Sequence, residues 1–455
     1  MNPNAPVSTP GTANDLCGAV LVCGGGIAGI QASLDLSAAG FRVYLVEESP
    51  AVGGGMSRLD KTFPTGDCAT CIISPKLVEC MRDINIDVFT LSDVVSIEGE
   101  AGNFTVTVRQ RPRYVDIHKC TACGDCTTVC PVNLPSTFEA GLGTRKAIDR
   151  VYAQAAPNAY VIRKNGRGMC STGCPIDSSV QAYVALIAAG RFKEAADVIR
   201  RDNPLPSICG RVCLHPCESL CNRREIDEPI NIRGLKRFAM DLFPESGKAN
   251  RIEPSGKSVA IIGSGPAGLS AAHSLALAGH RCVVYEALRV LGGMLAVGIP
   301  DYRLPPDILE RDLTSIRNLG VTFKPGTSVG KDISREQIEK EFDAVFIATG
   351  AHESRKLGIP GEQCAGVVYG VEFLRQFSLD QGAEVGKRVM VVGGGNTAFD
   401  AARVARRMGA ETVTILIQCR DEMIAAPEEI AGALAENIEI MLGATAIRVV
   451  SENGR

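Results

Sequence analysis

Ala19-Val-Leu-Val-Cys23-Gly24-Gly25-Gly26-Ile-Ala-Gly29 is an apolar run that breaks into glycines, and its continuation decides the fold. An amphipathic segment leads on to Arg42-Val-Tyr-Leu-Val-Glu47, so the stretch reads as strand, glycine turn, helix, strand. Gly24, Gly26 and Gly29 allow a tight turn and close backbone approach to a pyrophosphate at a helix N-terminus, while Glu47 can accept from a ribose hydroxyl. Alone, this glycine spacing is weak and also suits an ordinary turn in an α/β sheet. The flanking strand and helix, with an acid 23 residues on, give it weight. The unit recurs from Val259 to Glu286, through Gly263-Ser-Gly265-Pro266-Ala267-Gly268, again with the acid 23 residues on. In both copies a glycine pair stands six residues after the acid, Gly53-Gly54 and Gly292-Gly293. FAD-binding sheets carry such a pair, where backbone passes close to the flavin diphosphate.

A third cradle lies at Val389-Met-Val-Val-Gly393-Gly394-Gly395-Asn396-Thr397-Ala398, ahead of a helix through Met408 and a strand from Thr412 to Ile417. Ala398 replaces the third glycine, and Ile417, Gln418 and Cys419 stand where an acid would favour NAD. Arg420, with Arg406 or Arg407 behind it, tilts the reading toward the 2′-phosphate of NADP(H), with NAD(H) as the alternative.

Between the first two cradles lies a cysteine belt. Lys119-Cys120-Thr-Ala-Cys123-Gly-Asp-Cys126-Thr-Thr-Val-Cys130-Pro131 is a C-x2-C-x2-C-x3-C-P run, the ligand pattern of a [4Fe-4S] cluster rather than of zinc. Either its four cysteines close one cubane or Cys130 serves a second cluster. Further on come Cys170 and Cys174, then Cys209, Cys213, Cys217 and Cys221 at four-residue spacing. Pro216 argues for turns there instead of one continuous helix. Six thiols around helices read as cluster ligands, with buried structural cysteine as the alternative. Val180, Tyr183, Val184 and Ile187, then Ala195, Val198 and Ile199, form an apolar stripe that reads as core. Cys68 and Cys71 are the candidates for catalysis: a redox dithiol over a flavin ring, a ligand pair with Cys80, or packed thiols. Cys17, Cys23, Cys282, Cys364 and Cys419 are isolated and expected to be buried.

With 455 residues the chain is long enough for about three domains. A net charge of -3 with interspersed signs offers no stripe for nucleic acid, and no apolar run reaches the length of a membrane span. The cysteine spacings suit clusters better than a disulfide framework, so a reducing cytoplasm is expected. The expected order is a disordered tail (1–17), a flavin-binding Rossmann-like module (18–115), a ferredoxin-type segment (116–135), a linker (136–165), an α-helical iron–sulfur domain (166–250), the first part of an FAD-binding domain (251–385) and an NAD(P)-binding domain (386–455). Phe104-Thr-Val-Thr-Val108 alternates as a strand. The fold class is therefore α/β: multiple Rossmann-like dinucleotide-binding domains with a ferredoxin-type [4Fe-4S] segment and an α-helical iron–sulfur domain.

Residues 18 to about 160 resemble the flavin and ferredoxin part of the A-type subunit of heterodisulfide reductase. The resemblance rests on Gly24 to Gly29, Phe63-Pro-Thr-Gly-Asp-Cys68-Ala-Thr-Cys71-Ile-Ile-Ser-Pro-Lys76, the Cys120 run and Gly141-Leu-Gly-Thr-Arg-Lys-Ala-Ile148. From about residue 168 the chain resembles the small subunit of glutamate synthase, together with the matching part of dihydropyrimidine dehydrogenase. Asn203-Pro-Leu-Pro, Cys209-Gly-Arg-Val-Cys213, Gly298-Ile-Pro-Asp-Tyr-Arg-Leu-Pro305, Ala348-Thr-Gly350 and the second and third cradles carry that likeness. These resemblances imply FAD at two cradles, a nicotinamide nucleotide at the third, and clusters passing electrons to or from heterodisulfide reductase-like subunits or a ferredoxin. Two flavins of different potential would allow electron bifurcation. The alternatives are a dithiol–disulfide reductase and a non-catalytic electron relay.

The chain also departs from these patterns. Asn165 and Ile162 stand where the second family has cysteines, leaving Cys174, Cys213, Cys217 and Cys221 as the best quartet, and Lys236 stands where a relative uses glutamine as a ligand. Both families continue beyond the nucleotide domain, so a longer protein is expected.

Overall fold

The structure, a computed structural model, describes residues 18–164, 166–244 and 253–451. The expected tail, Cys17 and Asn165 lie outside them. Chain contacts separate two units: one runs to Arg167 and includes Glu225–Asp227, the other holds Gly168–Arg224 and the chain from Glu228 on.

The first unit opens with β1 (Ala19–Cys23), α1 (Ile27–Ala38) and β2 (Arg42–Glu47), followed by α2 (Ala69–Arg82) and β3 (Ile86–Thr90). The three strands pair in parallel in the order β1-β2-β3. Ile30, Val43, Leu45, Val52, Ile73, Leu77 and Cys80 form its core, as expected of apolar strands covered by helices. β4 (Ser92–Glu100) and β5 (Asn103–Gln110) make an antiparallel ribbon that includes the expected strand at Phe104. After α3 (Asp125–Thr128), inside the cysteine run, come β6 (Asn133–Pro135), β7 (Thr144–Lys146), β8 (Ile148–Asp149) and β9 (Val161–Ile162), paired as β6-β7 and β8-β9.

The stretch 136–165, expected to be a linker, is thus built into this unit. Val52 bridges to Ala156, Tyr152 donates to the Val52 carbonyl, and Phe138 stacks on Tyr152 at 5.6 Å. Short strands without alternation leave little pattern to read. Their place is set instead by contacts with residues about a hundred positions earlier in the chain, as Tyr152 is by Val52.

The second unit begins with a helical bundle: α4 (Met169–Thr172), α5 (Val180–Ala188), α6 (Phe192–Asp202), α7 (Pro206–Val212), α8 (Pro216–Ser219) and α9 (Ile232–Leu242). Pro216 does break the cysteine-bearing stretch, since α7 ends at Val212 and α8 starts at the proline. Val180, Tyr183, Ala195, Ile199, Ile232 and Met240 pack its core together with Cys217.

A parallel sheet comes next in the chain, built from β10 (Ser258–Ile262), α10 (Pro266–Leu277), β11 (Arg281–Glu286), α11 (Met294–Val297), α12 (Pro306–Arg317), β12 (Thr322–Pro325), α13 (Arg335–Glu341) and β13 (Ala344–Ile347), with strand order β12-β11-β10-β13. After α14 (Gly370–Ser378), β14 (Arg388–Val392), α15 (Asn396–Arg407), β15 (Thr412–Ile417), α16 (Pro427–Ala435) and β16 (Glu439–Leu442) form the last sheet, β14-β15-β16.

Polar contacts fasten the bundle to both sheets, among them two that involve α7 and α9. Asp312 of α12, 2% exposed, accepts from the N–H groups of Ser207 and Ile208 at the start of α7. Arg233 of α9 donates to the Cys213 carbonyl and to Glu428 at the start of α16. No helix among the described residues is long and apolar enough to cross a membrane.

Candidate cofactor sites

The two flavin cradles are built alike. A side chain at Gly29 would come within 1.9 Å of the Gly24 carbonyl oxygen, and one at Gly268 within 1.9 Å of the Gly263 oxygen. Helix and turn touch there, which only glycine permits. Gly54 lies against Gly26, and Gly293 against Gly265, each so close that a Cβ would stand 2.8 Å from the facing Cα. At Gly26 and Gly265 themselves, a Cβ would meet nothing within 4 Å. Each helix N-terminus therefore opens onto space that backbone N–H groups line, which fits a flavin diphosphate.

Glu47 accepts from Gly25 N–H at 2.6 Å and Ser49 N–H at 2.7 Å; Glu286 accepts from Ser264 N–H at 2.9 Å and Leu288 N–H at 2.8 Å. Each acid ties the glycine turn to the end of its strand, with lone pairs left for a ribose. At the second site Gly263, Gly265, Pro266, Ala267, Glu286 and Gly293 line a cleft of about 410 Å³, together with Ala348, Thr349 and Gly350, a size within the range of cofactor sites. At the first, Tyr152 closes over Gly53: its hydroxyl oxygen would stand 2.4 Å from a Cβ there. Gly292 is likewise hemmed in, by Leu309 at 2.8 Å.

The third cradle has Gly393 at φ 132° and Gly395 open, at the N-terminus of α15. Asn396 Oδ1 accepts from Ala426 N–H at 2.9 Å, and Thr397 lies beside Gly370. A Cβ built at Gly393 would stand 3.6 Å from the Ala398 methyl, an ordinary contact, so this turn leaves the methyl the room that a glycine supplies in the other two cradles. Arg420 is exposed just past β15. Arg406 and Arg407 do not stand behind it as expected. Arg406 is held by the Glu436, Ala410 and Glu411 carbonyls, and Arg407 pairs with Glu436 at 2.8 Å and lies over the Tyr302 ring.

In the ferredoxin-type segment, Gly124 (φ 96°) and Ala122 (φ 59°) turn the chain so that Cys120, Cys123 and Cys126 come within reach of each other. Burial raises the Cys126 thiol and the other two add to it. Tyr160 N–H donates to Cys120 Sγ at 3.4 Å. Burial also acts to raise Cys130, but hydrogen bonds with the backbone of Ile148, Val132 and Ala147 prevail and bring it below its usual range. Backbone hydrogen bonding to sulfur is what cluster ligands receive.

In the helical bundle three thiols of the expected quartet, Cys174, Cys213 and Cys217, neighbour one another. Burial pushes Cys217 up to about 11, with Glu218, Cys213 and Cys174 adding to it and Lys236 opposing. Burial also raises Cys209, which Asn203 and Lys236 oppose, and raises Cys170, whose neighbour among the thiols is Cys221. So Cys174, Cys213 and Cys217 lie near one another, with Cys209 near Cys213, Cys170 near Cys221, and Cys170 also near the Tyr183 hydroxyl beside Cys174 and Cys217. Spacing by four along the chain could not reveal this, because α7 ends between Cys209 and Cys213.

Among the described residues no three His, Cys, Asp or Glu side chains converge tightly enough for a single metal ion. A cubane instead takes thiolates at separate corners. One buried donor among these thiols, Tyr183 Oη, has no hydrogen-bond partner, while the Ser178 and Asn203 side chains turn to the Cys174 and Cys209 sulfurs. Burial acts to raise the Cys174 thiol, but Ser178 prevails and brings it below its usual range. Burial and then the Cys217, Cys174 and Cys170 thiols push the Tyr183 hydroxyl upward. An orphaned buried donor is uncommon, and a sulfur-rich anionic cluster would satisfy the Tyr183 hydroxyl. The thiol site thus fits a cluster. Tyr183, Ser178 and Lys236 belong to it, although the sequence pattern placed Tyr183 in the core and left Ser178 out.

Cys68 caps α2, its sulfur accepting from Cys71 N–H at 3.3 Å, and both side chains are exposed. Hydrogen bonds from the Cys71 side chain and backbone hold the Cys68 thiol below its usual range, and the same pairing holds Cys71 above it. Cys80 lies elsewhere, in the sheet core, pushed up to about 11 by burial, so it is no ligand partner for them. Cys282 is buried as expected, whereas Cys364 is half-buried and Cys23 and Cys419 are exposed. The last two sit at the ends of strands beside glycine turns, where the sheet offers no cover.

Three family patterns match: pyridine nucleotide-disulphide oxidoreductase at residues 257–454, dihydropyrimidine dehydrogenase domain II, 4Fe-4S cluster, at 152–248, and FAD dependent oxidoreductase at 19–67. The NADPH-Fe(3+) oxidoreductase subunit beta of Geobacter sulfurreducens is 45% identical over 294 residues, 62% of this chain and 44% of that protein. The chain thus spans less than half the length of that relative. An A-type iron-sulfur subunit of the CoB–CoM heterodisulfide reductase of Methanopyrus kandleri is 50% identical over 148 residues, 32% of this chain and 23% of that protein. The glutamate synthase [NADPH] small chain of Halomonas elongata is 33% identical over 319 residues, which cover 66% of this chain and 67% of the relative. With its flavin cradles, nucleotide cradle and thiol site in place, the chain belongs to the glutamate synthase small chain family of FAD- and pyridine nucleotide-dependent oxidoreductases with a 4Fe-4S domain.

Proposed function

We propose that this chain passes electrons between NAD(P)H, FAD and [4Fe-4S] clusters, to or from a protein partner in the cytoplasm. The observation that carries the reading is the double anchoring of the thiol-bearing bundle. Asp312 fixes it to the layer of the second flavin sheet, and Arg233 fixes it to the nucleotide sheet. A relay needs such fixed spacing between its stations. FAD, when bound, takes a hydride from a nicotinamide and passes electrons on singly to a cluster. The residues do the holding: Gly263, Gly265 and Gly268 present N–H groups to the diphosphate, and Glu286 keeps their turn in shape and receives a ribose. Gly393, Gly395, Asn396, Thr397 and Ala398 do the same for the nicotinamide nucleotide. Arg420 would answer its 2′-phosphate and so make NADPH the preferred donor, the nucleotide for which the Geobacter and Halomonas relatives are named. Cys120, Cys123, Cys126 and Cys130 hold one cluster, and the bundle thiols another. The partner is a heterodisulfide reductase-like subunit or a ferredoxin, since relatives are themselves named as subunits.

The test is anaerobic loading with FAD, iron and sulfide, then mixing with NADPH or NADH while following flavin absorbance. Bleaching by NADPH is expected. Failure of both nucleotides to bleach a flavin that dithionite does bleach would refute hydride entry and favour a non-catalytic relay. A second reading rests on the Cys68–Cys71 pair, whose lowered and raised thiols suit exchange with a disulfide. Replacing both by Ser abolishes disulfide reduction under that reading and leaves NADPH-driven dye reduction intact under the first.

A further inference from the structure

We propose that Lys236 is the counter-charge of the cluster held by the bundle thiols and, with the Tyr183 hydroxyl, sets its reduction potential. This rests on the assignment of a cluster to those thiols. Lys236 sits mid-way along α9 and is 7% exposed. A buried ammonium is costly unless an opposite charge answers it. Among the described residues no carboxylate lies within ion-pair distance of Lys236.

The thiols of Cys174, Cys209 and Cys217 all feel its positive charge. The crossing of α7 and α9 produces this: Gly210 lies so close to Arg237 that a Cβ would stand 3.0 Å from the Arg237 Cα, and Cys209 and Lys236 are the residues next to them in the chain. From the other side comes Tyr183, 1% exposed, whose hydroxyl has no protein partner and lies among Cys217, Cys174 and Cys170.

A thiolate-ligated cluster is anionic, and reduction adds one more negative charge at this site. A fixed cation and an O–H donor both favour the more negative state, so they raise the potential. Lys236 acts through the ligands and not as one of them. It is a positioning residue whose charge is what matters.

The test is an EPR-monitored redox titration of the full chain, loaded anaerobically, with iron and sulfide counted per chain. The relevant signal is the one lost in Cys217→Ser. Lys236→Met is expected to keep the iron content and move the midpoint at least about 59 mV more negative, a tenfold change in a one-electron equilibrium. Lys236→Arg should stay near the parent value, and Tyr183→Phe should move in the same direction as Lys236→Met by less. An unmoved midpoint in Lys236→Met with full iron content overturns the inference. So does a Lys236→Arg chain that shifts as far as Lys236→Met, or loss of iron from both. If the parent chain shows no Cys217-dependent signal, the cluster assignment falls as well; if it shows one whose midpoint Lys236→Met leaves in place, only this inference falls.

Discussion

Gly265→Ala separates binding from folding at the second flavin cradle. Gly265 has φ -69° and ψ -179°, a conformation any residue adopts, and a Cβ there would meet nothing within 4 Å. Alanine should therefore leave the chain without flavin as stable as before, or stabilise it by about 0.4–1 kcal/mol through the unfolded state. Yet Gly265 lines the cleft of about 410 Å³, so the methyl enters the space a diphosphate would use. Losing one charge-assisted backbone hydrogen bond costs about 1.5–3 kcal/mol, which weakens FAD binding roughly 10- to 150-fold. Gly268→Ala is the contrast: its Cβ would stand 1.9 Å from the Gly263 oxygen, an overlap that costs about 3 kcal/mol or more in folding. Thermal unfolding of the flavin-free chains, beside FAD titration by fluorescence, reads both quantities. Parent-like FAD affinity in Gly265→Ala, or its early unfolding, would refute the reasoning. Gly26→Ala makes the same test at the first cradle, where φ is -73° and the space is equally open. At FAD concentrations that just saturate the parent, two FAD per parent chain and one per single variant are expected, and a parent stoichiometry of one would end the case for bifurcation.

Arg420→Ala should raise the KM for NADPH about tenfold, the worth of one exposed charge-assisted contact, and leave that for NADH unchanged; equal effects on both would remove Arg420 from the 2′-phosphate. Asp400, 3% exposed, pairs with Arg303 at 2.6 Å, yet burial pushes its carboxyl up to about 6, because Arg303 also serves Glu429 and Asp400 Oδ1 has no partner. Its native form therefore holds a proton that the unfolded form gives up between about pH 4 and 6, and stability falls as pH rises through that window, by at most about 3 kcal/mol. Asp400→Asn should flatten this part of a stability-against-pH curve, and an unchanged slope counts against the assignment. Tyr183→Phe removes a buried hydroxyl that no protein group satisfies, so without its cluster the chain should gain about 1 kcal/mol or hold steady; a clear loss in thermal unfolding would mean the hydroxyl has a protein partner.

The cradles were legible because each is a local unit. Strand, turn, helix and acid lie within about 25 residues, and the glycines are demanded by contacts between near neighbours such as Gly29 and Gly24. The ferredoxin-type run is local in the same way, its four cysteines lying within eleven residues. What the sequence hid is what distant segments do to one another. Tyr152 closes over Gly53 from a stretch with no periodicity, and Arg406 and Arg407 turn to Glu436, a residue far along the chain, instead of to the nucleotide.

The thiol site shows where such reading stops. Cys209, Cys213, Cys217 and Cys221 share a spacing that suggests one face of one helix, but the chain leaves α7 after Val212 and re-enters a helix only at Pro216. The partners are then chosen by packing between helices: Gly210 against Arg237 sets Cys209 beside Lys236, and the bundle core carries Tyr183 to the same thiols. A stripe of Val180, Tyr183 and Val184 is indistinguishable from ordinary core until its one hydroxyl is found without a partner. The unanswered Tyr183 hydroxyl adds to this site what the spacing of cysteines cannot show, because a cluster held by the neighbouring thiols would offset the cost of burying it.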